Sequence, residues 1–166
     1  MRFRSICSLA LAYGLLVLGT ARADHFTIEL KIETASGSKA VKGKTLAPGA
    51  KPKVREVFAA KAGQKFTVRW TLTNVSAKMP AKDVLVHFFV VKEEKAGQVE
   101  VPKLIKDVVA ESAVTVDFAP KDRAKGELTF TIEQAGAYLV RLETIGAGAP
   151  GADEHEHFAA LDVTIP

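Results

Sequence analysis

Phe26-Thr27-Ile28-Glu29-Leu30-Lys31-Ile32-Glu33 alternates apolar and polar residues without a break. Successive side chains of a β-strand point to opposite faces, so this stretch reads as a strand with one face buried and the other in water. Phe66-Thr67-Val68-Arg69-Trp70-Thr71-Leu72-Thr73 repeats the pattern. The sets Val114, Val116, Phe118 and Leu128, Phe130, Ile132 repeat it again, as do Tyr138, Val140, Leu142 and the closing Ala159, Leu161, Val163, Ile165. Val84-Leu85-Val86-His87-Phe88-Phe89-Val90-Val91 differs, being apolar everywhere except at His87. An apolar run of that length, rich in β-branched residues, reads as a central strand covered on both sides.

Turn signals separate these runs: Asn74-Val75-Ser76, Ala96-Gly97-Gln98, Ala119-Pro120-Lys121-Asp122 and Ala135-Gly136-Ala137. No window has a convincing helical period, and residues 103–113, the least patterned, have room for one helical turn. Short strands at near-regular spacing predict an all-β, antiparallel, immunoglobulin-like sandwich of about seven to eight strands. Two connections are long. Residues 34–53 carry Lys39, Lys42, Lys44, Lys51 and Lys53 with no acidic residue, a solvated loop or a basic flap for an anionic envelope polymer. Residues 146–151 form a Gly/Ala/Pro linker into Asp153-Glu154-His155-Glu156-His157.

The chain opens with Arg2 and Arg4, an apolar run over 6–18, and the small-x-small site Ala21-Arg22-Ala23. That order predicts a cleaved secretory signal over 1–23 and one mature domain over 24–166, exported to the periplasm or the extracellular space. Without Arg2, Arg4 and Arg22 the basic residues number 20 against 19 acidic, so the expected mature charge is about +1. A nucleic-acid binder normally carries a stronger basic field, so no nucleic-acid partner is expected. The sole cysteine, Cys7, falls in the leader, which excludes thiolate catalysis and thiolate metal ligation from the mature chain. No later segment is apolar and long enough to span a membrane as a helix.

Ala62-Gly63-Gln64 leading into residues 66–74, then Ala81-Lys82-Asp83-Val84-Leu85-Val86, then Ala135-Gly136-Ala137-Tyr138-Leu139-Val140 follow one another over about half of the chain. In this order they resemble bacterial immunoglobulin-like modules of the cell-adhesion-related CARDB type. The Gly-x-Tyr-x-Val piece resembles the element that carries a tyrosine corner in such sandwiches. The resemblance implies the fold and a broad role in adhesion or assembly, and it transfers no functional residue.

No nucleophile elbow or phosphate-binding glycine loop is present: Ser36 and Ser38 flank Gly37 in the lysine-rich loop, and Asp153, Glu154 and Glu156 read as solvated charge. No enzyme and no cofactor are expected. Histidine offers the alternative chemistry. His155 and His157 share one strand face, in parity with the inward set that follows, and the starts of the first, third and last strands are expected at one end. His25, His155 and His157 then form a candidate site for Cu, Zn or Ni, with His87 and Asp153 as outlying members. This tail is similar to periplasmic copper-binding sandwiches of the CopC type, although cleavage after Ala23 places His25 second and not first. The leading expectation is a binding module for a protein or envelope polymer, working through Phe88, Phe89, Lys42 and Lys44.

Overall fold

A computed structural model describes residues 26–43, 53–99, 106–145 and 157–166. The described residues form nine strands: β1 (Phe26–Thr34), β2 (Gly37–Lys42), β3 (Val57–Ala59), β4 (Lys65–Asn74), β5 (Ala81–Glu93), β6 (Val108–Phe118), β7 (Arg123–Thr131), β8 (Gly136–Ile145) and β9 (His157–Ile165). They make two sheets, in the orders β2-β1-β4-β7 and β3-β9-β8-β5-β6. All pairings are antiparallel except β3 with β9, which is parallel. The described residues contain no helix, in keeping with the absence of a helical period.

Alternation decides which residues meet. Phe26, Ile28, Leu30 and Ile32 of β1 and Phe66, Val68 and Leu72 of β4 face Val86, Phe88, Val90, Val140, Leu142, Leu161 and Val163 of the other sheet. Phe66 stacks on Phe130 at 5.2 Å, and burying each such side chain contributes on the order of 1.5–3 kcal/mol. Trp70 lies over Gly126, its neighbour across the β4–β7 ladder. A Cβ at Gly126 would fall inside the indole. Gly126→Ala is therefore expected to destabilise the protein by about 1–3 kcal/mol and to shift the emission of its single tryptophan.

β5 is covered on both sides, as its unbroken apolar run predicts. Phe88 points into the inter-sheet core, while Phe89 and Val91 pack with Leu139 on the outer face. The expectation that Phe88 and Phe89 form an exposed patch is corrected: they are 2% and 1% exposed, one sealed by the opposite sheet and the other within the outer cluster. Two further corrections concern elements. The start of the lysine-rich loop forms β2, where a turn closed by the Ser36 amide on Thr34 Oγ1 (3.1 Å) folds residues 37–42 back on β1. Residues 108–113, within the stretch given room for a helical turn, are strand.

The far end of that outer face carries buried charge. Arg55 donates from Nε to Asp162 (2.6 Å) and from Nη2 to Glu93 (2.5 Å). The Gly97 amide donates to the other oxygen of Asp162, so the segments around Arg55 and Gly97 are pinned over the sheet. Desolvation raises the Glu93 carboxyl above its ordinary range; Arg55 opposes that shift, and Asp162 adds to it. Tyr138, at 2% exposure, donates its hydroxyl to the Gln134 carbonyl at 2.8 Å.

Candidate functional site

The solvent face of the four-stranded sheet is polar throughout, because the polar halves of β1, β4 and β7 all point there. Register sets these side chains in rungs. Thr27 faces Thr73, which faces Arg123; Glu29 faces Thr71, which faces Lys125. At one end a cleft of about 430 Å³ opens, lined by Thr27, Glu29, Thr71, Thr73, Val75, Lys121 and Arg123.

Local sequence builds the wall of this cleft. In Ala119-Pro120-Lys121-Asp122 the Asp122 amide donates to the Ala119 carbonyl at 3.1 Å. Proline supplies the fixed φ of the second turn position, and Lys121 takes the left-handed third position at φ 64°. Lys121 is held there by its amide on the Ser76 carbonyl (3.1 Å) and by its ammonium on the Val75 carbonyl. Beneath it Asn74, 1% exposed, donates to the carbonyls of Met79 (2.9 Å) and Ala119 (3.1 Å) and accepts from the Ser76 amide (3.0 Å). One buried amide thus ties the β4–β5 connection to the β6–β7 turn and fixes the cleft wall.

Charge is unevenly placed along the face. Away from the cleft, Arg69 bridges Glu33 and Glu127, and Lys31 pairs with Glu33 at 2.5 Å. Lys31 first, and Arg69 with it, holds the Glu33 carboxyl below its ordinary range, while Glu127 raises the Arg69 guanidinium. At the cleft Glu29 is engaged by Lys42 at 3.0 Å. Among the described residues Arg123 and Lys125 have no carboxylate partner, so the Thr27–Thr73 and Glu29–Thr71 rungs each end on a cation outside any ion pair. Such a surface suits an anionic ligand with hydroxyl groups: guanidinium and ammonium donate to its anionic oxygens, and threonine both donates and accepts.

The two described histidines, His87 and His157, lie apart. The starts of β1, β5 and β9 do gather: the Phe26 ring lies 5.1 Å from Phe118, which pairs with Ala81, and 5.8 Å from the His157 ring. His157 has the expected inward parity and is 7% exposed at the rim of the core. His87 is on the opposite face of the same sheet, with Nδ1 3.2 Å from Glu143 and Nε2 2.8 Å from Glu111. Both of its nitrogens face carboxylates, and it does not meet His157. His25, His155, Asp153 and Lys44 lie outside the described residues. Among the described residues no group of three or more His, Cys, Asp or Glu is placed to hold a metal ion. Lys42 is exposed on β2 beside the cleft.

No family model and no curated protein matches the chain. Among solved structures it is similar to the C-terminal domain of Wzt, at 9% identity and a TM-score of 0.45, with 82% of this chain and 70% of that one covered. It is also similar to a family 123 glycoside hydrolase from Clostridium perfringens, at 10% identity and a TM-score of 0.41, covering 66% of this chain and 22% of that enzyme. A structural-genomics target, SoR45, is similar at 10% identity and a TM-score of 0.37, with 86% and 88% covered.

Proposed function

We propose that the chain is an exported, non-enzymatic sandwich of the immunoglobulin-like kind that holds an acidic, hydroxyl-bearing polymer of the cell envelope. The observation that carries this reading is the cleft in which Thr27 and Thr73 lead to Arg123, with Lys125 on the next rung beside Thr71, neither cation having a carboxylate partner among the described residues. The leader pattern over 1–23 supports export. Strand order supports the immunoglobulin-like assignment: with β2 and β3 set aside, β1-β4-β7 follow A-B-E and β9-β8-β5-β6 follow G-F-C-C′. The Tyr138 bond to Gln134 occupies the place of a tyrosine corner, as the CARDB-type resemblance implies.

Calorimetric titration tests the reading with polygalacturonate as a carboxylate polymer, polyphosphate as a phosphate polymer and dextran as the neutral control. An acidic polymer should bind with an affinity that falls as salt rises. Arg123→Glu with Lys125→Glu should weaken it at least about tenfold, the effect of roughly 1.4 kcal/mol. Equal binding by dextran, or an unchanged affinity in the double variant, would remove the cleft from the account.

A further inference from the structure

Register carries the solvent face of the four-stranded sheet past the cleft to a third rung, Lys31–Arg69–Glu127, and a fourth, Glu33–Thr67–Thr129. These two differ from the cleft rungs in charge. Lys31 and Arg69 are balanced by Glu33 and Glu127, and the four are tied together: Arg69 donates to both acids, and Lys31 lies 2.5 Å from Glu33. Each cleft rung instead keeps a positive charge in excess. On the first it is Arg123; on the second it is Lys125, because Glu29 is taken up by Lys42. Val75 and Lys121 line the cleft at its other end.

We infer that this site is two rungs long and takes a short segment bearing two acidic groups, not a continuous run of polymer, an inference that rests on the reading of the cleft given above. Arg123 and Lys125 are two residues apart on β7, about 6.6 Å along the strand, so a ligand laid along the strands meets one cation per rung. A third acidic group on the same ligand reaches Arg69, whose Nε and Nη1 already donate to Glu127 and Glu33. It meets those two carboxylates as well, so it gains no net attraction without separating existing pairs. In about 0.1 M salt, charges more than roughly 10 Å away are largely screened, so ligand units past the third rung add nothing.

Oligogalacturonates from dimer to octamer, titrated calorimetrically against the full chain in about 0.1 M salt, provide the test. Longer oligomers offer more registers, so each affinity is divided by the number of registers. Per register, affinity should level off by about the tetramer and change less than about twofold from there to the octamer. Glu33→Gln with Glu127→Gln removes the acids that engage Lys31 and Arg69. In that variant the octamer should gain about fivefold over the tetramer, the scale of one exposed ion pair. Both acids lie on the solvent face, so circular dichroism should show a native fold. Three results would overturn the inference and leave the reading of the cleft standing: affinity per register that climbs steadily to the octamer in the wild type, no octamer gain in the double variant, or oligomers that fail where an acidic polymer binds. Absence of binding by oligomers and polymers alike would overturn both.

Discussion

Arg55→Met is expected to lower the free energy of unfolding by about 3–5 kcal/mol in guanidinium titration, the cost of stranding buried charge. Arg55 bridges Asp162 and Glu93, whose side chains are fully shielded from solvent. Methionine matches the length of the arginine stem, so the loss measures charge and not volume. Glu93→Gln is the contrasting change. It leaves Arg55 and Asp162 as a neutral pair, and removal of a carboxylate that burial disfavours should be close to neutral or stabilising at pH 7.

The pH dependence of that contrast has a definite sign. The folded pKa of Glu93 is raised above its ordinary 4.5, so the fold binds this proton more tightly than the unfolded chain does. The penalty of ionised Glu93 is therefore full above the raised value and fades as pH falls toward 4.5. The advantage of Glu93→Gln over the wild type should shrink over the same window. A gap that is flat with pH would mean that Glu93 titrates alike in both states.

Phe66→Ala is expected to cost about 3–5 kcal/mol, from lost transfer energy and from the cavity left behind. Phe66 is 0% exposed, stacked on Phe130, and set between the sheets. The same truncation at Val57, 43% exposed on the short β3, should cost less than about 1 kcal/mol. Chemical denaturation of the two variants checks the difference. Similar losses would contradict a core lying between the two sheets.

Much of this fold was legible because burial and period coincide. β1 buries every second residue from Phe26 to Ile32 and β9 every second residue from His157 to Ile165, and β4 keeps the same period with Trp70 half-buried, so their alternation is long enough to read. β5 was legible for the opposite reason, since burial on both faces abolished the alternation. The reading of β2 failed because six residues with one buried side chain, Val41, make too short a signal. The start of β6 failed because an edge strand that is open to water has no buried face to imprint a period.

Sites assembled from distant segments left no pattern to read. Arg55 finds its partners 38 and 107 residues away, and nothing in Lys53-Val54-Arg55-Glu56 announces a buried cation. The cleft draws on three strands and two connections. Its threonines read as the ordinary polar half of amphipathic strands, and only the register brings them to Arg123 and Lys125. Phe88 and Phe89 mislead for a related reason: an all-apolar strand signals two covered faces but not what covers them.

The central claim is that the four-stranded sheet, at its threonine and arginine rungs, is where this protein meets its ligand. Backbone amide shifts of isotope-labelled protein, recorded while an acidic polymer is added, address it most directly. The account predicts saturable perturbations at Thr27, Glu29, Thr71, Thr73, Val75, Lys121 and Arg123, the lining of the cleft, and their loss in Arg123→Glu with Lys125→Glu. Saturable shifts confined to the opposite sheet, with the cleft amides unmoved, would contradict it.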